Sequence, residues 1–476
     1  MDETKPLVLD VDGTFLRTDM LYETFWAGLG RDPVRVIGLA LRHLREPAVL
    51  KARLAGVVDL RTDLLPVQPE VLALARAAQD EGRAVAFASA SDSAPVTRLA
   101  AHHGIERVFA SDGTCNLKGE AKSRALIEAY GAGGFDYAGN DKSDCAVWSK
   151  GDRAIIVGNH PKAAAELRAE GHPVSEVQEG WAWRDLKRAL RPHQWVKNSL
   201  LILPMIAAHD FTLSTLWLVL AGIVAFSAAA SSIYIVNDLL DLEADRLHPT
   251  KCRRPFATGA VPIRIGMLTS VVLAAVALSL GAALGGAFFG VVLLYMAISL
   301  AYSLKFKRMR WVDVFTLAAL YTIRVVAGAA ASRVDVSIYM LIFIFPVFVT
   351  LGCVKRMTEL ALATGDEPLP GRGYGRRDRG DLLNMSGLGI AGALTIFALY
   401  SVSEQGRALY PTVWILWLTM VPITIWLIRM VALGFHGKQD YDPIVFALRD
   451  RIGIGILLMI FSLMLWAAGL WAQWFG

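Results

Sequence analysis

The sequence predicts two structural classes in one chain: a parallel α/β domain over residues 1–175, then an all-α bundle of nine transmembrane helices over residues 194–476. Three observations carry that expectation. Short apolar runs that end in Asp, Ser or Gly recur at helix-length intervals as far as Gly158, and strands alternating with helices imply a parallel sheet. From about residue 195 the apolar runs lengthen to bilayer-spanning size. Lysines and arginines then collect in alternate loops between those runs.

Composition agrees with this division. The 476 residues are 54% hydrophobic and 19% charged, an average over two unlike halves. The net charge of +5 is modest and belongs mostly to basic loops beside apolar runs, so it does not argue for a nucleic-acid partner. Cys115, Cys145, Cys252 and Cys353 show no paired spacing, so neither a disulfide nor a zinc site is expected and a reducing, cytoplasmic setting fits. Met1-Asp2-Glu3-Thr4 is acidic and polar, and no signal peptide is expected from it.

In the first half, Leu7-Val8-Leu9 runs into Asp10-Val11-Asp12-Gly13-Thr14. Aspartates two apart at a strand end point the same way, and Gly13 permits the chain to turn off the sheet. That places a nucleophilic carboxylate beside a proton donor, with room for a metal. Residues 20–65 are helical in character and form a small helical cap. Later strand ends present Ser89-Ala90-Ser91-Asp92, Ser111-Asp112-Gly113 and Gly139-Asn140-Asp141-Lys142-Ser143-Asp144, and a fifth strand is Ala154–Gly158. Lys118 and Lys122 follow the third.

This order of features resembles the haloacid dehalogenase superfamily of phosphohydrolases, a Rossmann-like fold, over roughly residues 5–175. The resemblance implies Asp10 as the nucleophile and Asp12 as general acid/base. It implies Ser89 as the phosphate-contacting hydroxyl, and Lys122 rather than Lys118 as the neutralising lysine. Asp144 with Asp10 and the main chain of Asp12 would hold Mg²⁺. The family's fourth motif often begins Gly-Asp; this chain has Gly139-Asn140, with Asp141 or Asn140 as a substitute ligand or outer-shell partner.

Residues 176–193 form a juxtamembrane linker. In it Trp181 and Trp183 precede Arg184, Lys187, Arg188 and Arg191, a combination suited to the headgroup level of a bilayer. The nine expected spans are 195–209, 214–236, 264–284, 286–305, 311–331, 336–354, 386–403, 411–430 and 453–474. Basic clusters after every second span place the N-terminal domain in the cytoplasm of an inner-membrane, multi-pass protein.

Asn237-Asp238-Leu239-Leu240-Asp241-Leu242-Glu243-Ala244-Asp245 lies where the second span ends. On a continuous helix Asn237, Asp241 and Asp245 drift only about 80°, with Asp238 at the edge of that arc. Oxygen donors of this kind suit Mg²⁺ shared with a phosphate. Arg246, Lys251, Arg253 and Arg254 follow and would complete an anion site. A second constellation runs from Tyr302, Ser303 and Lys305 to Asp313, with Arg324 inside the next span, where a charge must face the bundle interior or a water-filled cavity.

The N-D-x-x-D-x-x-x-D stretch resembles the UbiA superfamily of membrane transferases, over about residues 188–476. The resemblance implies a nine-helix bundle in which Asn237, Asp238, Asp241 and Asp245 bind Mg²⁺-diphosphate. The D-x-x-x-D motif of aromatic prenyltransferases is not evident, since Leu317 stands four residues after Asp313. Leu190–Asn198, Asp245–Lys251, Tyr302-Ser303 with Lys305, and Phe446–Arg451 are similar instead to the polyprenyl-phosphate phosphoribosyltransferase branch. That similarity implies phosphoribosyl pyrophosphate as donor and polyprenyl phosphate as acceptor. Lys197, Lys251, Arg253, Arg254, Lys305 and Arg324 could supply the positive charge that the donor's extra 5-phosphate needs, and Asn198, Asn237, Tyr302 and Asp313 join them as expected substrate-binding residues. The expected activity is transfer of 5-phosphoribosyl to the lipid, with the N-terminal domain removing the 5-phosphate. The alternatives are a quinone-type aromatic prenyltransferase, or a phosphoribosyltransferase whose N-terminal domain only regulates.

Overall fold

The computed structural model describes residues 5–178, 180–335, 337–363, 365, 372–439 and 442–475. The chain forms two compact units, Met1–Leu190 with Tyr234–Thr269, and Arg191–Ile233 with Ser270–Gly476.

The first unit is built on a parallel sheet. Its strands are β1 (Leu7–Leu9), β2 (Val85–Asp92), β3 (Arg107–Ser111), β4 (Asp136–Gly139), β5 (Ala154–Val157) and β6 (Val174–Val177). The spatial order is β3-β2-β1-β4-β5-β6. β1 to β5 occur where the apolar runs predict them. They read as near-continuous apolar segments because both faces of a parallel sheet are covered. β6 falls in a stretch whose polar character gave no strand expectation. It is an edge strand, and Ser175 and Glu176 are exposed. The chain moves outward from β1 on one side, then crosses to β4 on the other. That reversal opens a crevice at the carboxyl ends of β1 and β4.

Between β1 and β2 lie the cap helices α1 (Met20–Arg31), α2 (Pro33–Arg42) and α3 (Pro47–Ala55). Asp19 caps α1, accepting from the Leu21 and Tyr22 amides. Asp32 ends α1 and caps α2, accepting from the Arg35 amide, so the two helices meet without a loop. The remainder of this unit is the end of a long helix, Leu213–Leu240, then a short helix Leu242–Leu247, a turn at Lys251–Arg253, and the start of the helix Ile263–Leu284.

Among the described residues, seven helices are long and apolar enough to cross a membrane: Leu213–Leu240, Ile263–Leu284, Gly286–Leu304, Val312–Ser332, Ile338–Leu362, Arg376–Val402 and Val413–Phe435. The ninth expected span forms the shorter apolar helix Arg451–Ala467. The first forms a 3-10 helix, Pro192–Ile202, continued by a short α-helix, Leu203–Ala207. A 3-10 helix rises about 2.0 Å per residue against about 1.5 Å in an α-helix, so these sixteen residues reach further than their number suggests. Val336, where the sixth expected span begins, lies outside the described residues.

The second unit is a helical bundle with a core that includes Val314, Phe348, Leu351, Val354, Met357, Leu416 and Met430. Close approach depends on glycine at two points. A Cβ on Gly328 would stand 2.1 Å from the Leu201 carbonyl oxygen, so the 3-10 segment presses directly on the Val312–Ser332 helix. A Cβ on Gly389 would meet Thr350 Oγ1 at 2.3 Å, where two long helices touch beside Pro346. Leu388, Trp414, Val421, Ile428 and Leu458 remain exposed along the outer faces, as side chains facing lipid would be.

Candidate active sites

The crevice at β1 and β4 gathers the first set of expected residues. Asp10 is buried, and the Lys122 ammonium donates to its Oδ1 at 2.6 Å. Thr14 Oγ1 donates to Oδ2 at 3.2 Å. Lys122 also stands 3.5 Å from Asp144 Oδ1, so one cation lies between two carboxylates from different strand ends. Burial pushes the Asp10 carboxyl up to about 7, against the pull of Lys122. Burial alone would lower the Lys122 ammonium, but Asp10 and Asp144 hold it above its usual value.

Asp12 is held by groups from two elements. Its Oδ2 accepts from Ser89 Oγ at 3.1 Å and Ser91 Oγ at 2.6 Å, and its Oδ1 accepts from the Met20 amide at 2.8 Å, the first residue of α1. Ser89 is fully buried and also accepts from the Ser91 amide. Both hydroxyls therefore orient Asp12 in this state. Gly13 has φ +74°, and a Cβ there would meet Asn140 Nδ2 at 2.2 Å. The asparagine that departs from the Gly-Asp pattern thus packs over the β1 turn.

Asp141 is not part of this cluster: its side chain is more than half exposed, 4.0 Å from Lys118, and accepts from the Ser143 amide. Asp144 is the buried one, accepting from Tyr137 OH and from the Asn140 and Asp141 amides. Sequence reading missed Thr14, Ser91 and Tyr137. Tyr137 lies inside a strand and accepts from Lys122 while donating to Asp144, a role that no local pattern marks.

The aspartate-rich stretch belongs to the same unit. The expected continuous helix is interrupted. Leu213–Leu240 ends, Asp241 sits at φ −104°, ψ 13°, and a new helix runs from Leu242 to Leu247. Asp238 and Asp245, seven residues apart and both buried, converge on one atom, Arg254 Nη1, at 3.0 and 2.6 Å. The close pair is therefore Asp238 with Asp245, two turns apart, whereas the sequence-based arc centred on Asn237, Asp241 and Asp245. Burial raises the Asp245 carboxyl to about 6, opposed by Arg254 and reinforced by Asp238. Asn237, Asp241 and Lys251 are half-buried and Arg253 is exposed.

Arg246, expected beside the anion, is bonded to α1 in this structure. Its guanidinium donates to both oxygens of Glu23 on α1, at 3.0 and 2.6 Å, and to the Ala257 carbonyl at 3.1 Å. Glu23 is buried and also accepts from Thr18 Oγ1 at 2.7 Å. A Cβ on Gly259 would stand 2.6 Å from Arg17 Cβ, so the loop after the aspartates lies directly on the start of the cap.

Two pairs of carboxylates thus each share a protein cation, Lys122 in one case and Arg254 in the other. Among the described residues, no three His, Cys, Asp or Glu side chains stand together as a finished metal cluster. The donor chemistry nevertheless fits Mg²⁺, which is usually held by one or two carboxylates and completes its shell with water and phosphate. Oxygens already within 3.0 Å of one cationic nitrogen are placed to share a metal ion.

The second unit holds a separate network of buried charges. Lys197 Nζ donates to Asp442 Oδ2 at 2.5 Å, Lys355 Nζ lies 3.7 Å from the same oxygen, and Tyr321 OH donates to it at 3.2 Å. Burial would raise the Asp442 carboxyl, but the two lysines hold it well below the usual carboxylate range. Arg324 donates to Asn198 Oδ1 at 3.1 Å, the Leu320 carbonyl at 2.6 Å and Tyr295 OH at 3.1 Å, and lies over the Phe226, Tyr295 and Tyr321 rings. Asn198 in turn donates to Ser227 Oγ at 2.9 Å.

Asp313 and Tyr302 meet as a pair, at 2.9 Å. Arg356 forks onto both Asp313 oxygens at 2.5 and 2.8 Å and bonds Glu359, and Arg372 donates to Tyr302 OH at 3.0 Å. Lys305 is exposed, outside this network. Lys355, Arg356, Arg372 and Asp442 belong to none of the motifs that the sequence presents. Nothing in their local sequence distinguishes them from solvated residues.

The chain matches the UbiA prenyltransferase family over residues 199–366. It is 33% identical over 273 residues to a decaprenyl-phosphate phosphoribosyltransferase from Mycobacterium tuberculosis, covering 56% of this chain and 88% of that one. It is 32% identical over 471 residues to the uncharacterized protein y4nM from Sinorhizobium fredii, covering 96% of this chain and 90% of that one. A solved UbiA homolog from Archaeoglobus fulgidus bound to GPP and Mg²⁺ aligns with 58% of this chain and 99% of its own length, at TM-score 0.46 and 18% identity. With the buried aspartate pair at the end of a membrane-length helix, and with relatives matched along most of their length, the chain belongs to the UbiA prenyltransferase family.

Proposed function

We propose that the protein is a bifunctional inner-membrane enzyme that transfers 5-phosphoribosyl from phosphoribosyl pyrophosphate to a polyprenyl phosphate. A haloacid dehalogenase-type domain, residues 1–175 facing the cytoplasm, would then remove the 5-phosphate. The transfer reading rests above all on the 33% identity to decaprenyl-phosphate phosphoribosyltransferase. The phosphatase reading rests on the order of Asp10, Asp12, Ser89, Lys122 and Asp144 around one crevice of a parallel sheet.

Asp238, Asp241 and Asp245, with Asn237, would hold Mg²⁺, which supplies neutralisation of the leaving pyrophosphate. Arg254 is the cation already shared by two of those aspartates, and it would swing toward the diphosphate. The lipid phosphate is already anionic. Its oxygen bonds to the anomeric carbon as the bond to pyrophosphate breaks, so no strong general base is needed. Lys197, Lys355 and Arg324 carry fixed positive charge suited to a phosphate group. In the phosphatase site the Asp10 carboxylate attacks phosphorus, and Asp12 protonates the departing ester oxygen. Asp12 then takes a proton from the water that cleaves the aspartyl-phosphate. Lys122 neutralises the phosphoryl group beside Asp10.

The test is a mass spectrum of the lipid product from purified protein given Mg²⁺, phosphoribosyl pyrophosphate and a long polyprenyl phosphate. Wild type yields ribosylated lipid, and Asp10→Asn yields the same lipid with one more phosphate. Dephosphorylated product from the variant removes the phosphatase half, leaving the N-terminal domain a regulatory role. No sugar transfer by either protein, with turnover of prenyl diphosphate and an aromatic acceptor, replaces the whole reading with an aromatic prenyltransferase.

A further inference from the structure

The cap carries its apolar side outward. On α2, Val34 is 84% exposed, Ile37 48% and Leu41 76%, with Leu44 74% exposed just past its end, whereas Val36 on the opposite side is fully buried. The spacing i, i+3, i+7 puts Val34, Ile37 and Leu41 on one stripe. Arg35 and Arg42 flank the stripe, and Arg31 and Arg45 stand at its two ends, all exposed. An outward apolar stripe bordered by arginines is the pattern of a helix lying in a lipid interface. The ten residues of α2 are too few to span a bilayer.

The position of the cap names the occupant. α1 lies against the ends of two membrane-length helices. A Cβ on Gly30 would stand 3.6 Å from the Leu240 carbonyl, the last residue of one. Tyr22 lies close enough to Arg264, the second residue of the other, for the guanidinium charge to act on its phenol. Arg246, six residues past Leu240, is clamped to Glu23 on the same helix. α2 follows α1 with Asp32 alone between them, so it starts beside the end of the Leu213–Leu240 helix. α3 follows, and its Lys51 Nζ donates to the Ala90 carbonyl at 2.6 Å, between the two serines that hold Asp12.

We infer that α2 is an interfacial anchor. It buries the Val34/Ile37/Leu41/Leu44 stripe in the lipid leaflet, its arginines engage anionic headgroups, and the Asp10 crevice thereby receives phosphate esters carried by membrane lipids. The second half rests on the phosphatase reading above; the first does not.

The experiment uses the full chain, one copy per nanodisc, in anionic lipid. A trifluoromethyl-phenylalanine replaces Leu41, and in a second sample Leu74, which is exposed on the separate helix Pro69–Asp80. Fluorine relaxation is read with a doxyl-labelled lipid and with a water-soluble gadolinium chelate. The expected result is strong relaxation of position 41 by the lipid label and little by the chelate, with the reverse at position 74. Relaxation of position 41 by the chelate alone overturns the anchor. So does protection of position 41 that appears only when two copies share a disc, which would make the stripe a contact between copies.

A second arm changes Val34, Ile37, Leu41 and Leu44 together to serine. Hydrolysis of p-nitrophenyl phosphate should stay within about two-fold of wild type, while kcat/KM for the 5-phosphoribosyl lipid in nanodiscs falls at least ten-fold. Equal loss on both substrates, or on neither, overturns the lipid-ester half. Absence of any hydrolysis by wild type overturns that half together with the phosphatase reading, and the fluorine measurement still decides the anchor.

Discussion

At the scale of single residues, both aspartate sites store unfavourable charge that a ligand would relieve. Asp19 caps α1, and burial together with Asp12 pushes its carboxyl up to about 7. A folded-state value above the unfolded one means the native state binds more protons, so stability falls as pH rises from about 4 to about 7. Asp19→Asn keeps the cap, since asparagine caps helices as well as aspartate. In metal-free protein it should therefore raise stability at pH 8 by up to about 4 kcal/mol, about three pKa units at about 1.4 kcal/mol each, and leave it nearly unchanged near pH 4. Thermal unfolding across pH in EDTA reads this directly; an equal gain at every pH would place the effect elsewhere. Arg254→Gln leaves Asp238 and Asp245 facing each other without their shared guanidinium. Arg254 is partly exposed, so the loss should be about 2 kcal/mol, below that of a fully buried pair. Added Mg²⁺ should raise the unfolding midpoint more in the variant than in wild type. The aspartates were legible in the sequence because N-D-x-x-D-x-x-x-D is a local pattern. The identity of their cationic partner was not, because four basic residues follow within nine positions and only the fold sends Arg254 to the carboxylates and Arg246 to Glu23.

At the scale of elements, the strands and long helices were legible because their apolar runs have the right length and period. Three features were not. The helix break at Asp241 leaves no proline or glycine mark, and it falls between Asp238 and Asp245, which meet on one cation. β6 is a polar edge strand that pairs with β5 along one side only. The 3-10 segment Pro192–Ile202 packs directly on the Val312–Ser332 helix at Gly328, a contact no local pattern marks. Gly328→Ala would drive a methyl into the Leu201 carbonyl and should destabilise the bundle by at least about 1–3 kcal/mol. The same segment carries Lys197 and Asn198, so disorder there should also loosen the Asp442 and Arg324 contacts. Hydrogen exchange of residues 192–207 in detergent checks this; unchanged protection would show that the segment holds its winding without the contact.

At the scale of the whole molecule, the N-terminal domain is joined to the aspartate-rich turn by a buried, forked ion pair, Glu23 with Arg246. Met20, which donates to Asp12, and Glu23 are one helical turn apart on α1. One helix therefore carries contacts to both candidate active sites. Glu23→Gln should cost about 3 kcal/mol and raise the KM for the proposed donor, phosphoribosyl pyrophosphate, with a smaller change in kcat. The double exchange Glu23→Arg with Arg246→Glu should recover part of both. A chain lacking residues 1–178 should bind Mg²⁺ and donor about ten-fold more weakly, because Arg246 loses its anchor. Titration of the truncated protein with Mg²⁺ measures that loss, and wild-type affinity would show that the turn is self-supporting.

The sequence by itself determined what local patterns can encode. These are five of the strands, the run of apolar helices, the Asp10-Asp12 strand end and the aspartate-rich turn, each read from residues within about twenty positions of one another. The tertiary structure alone decided which charge meets which. Lys122 is 112 residues from Asp10, Arg246 is 223 from Glu23, and Arg324 is 126 from Asn198. Desolvation makes an unpaired charge costly in a buried site, but many partners of the same sign satisfy that demand equally well in the sequence. The choice among them belongs to chain topology and close packing.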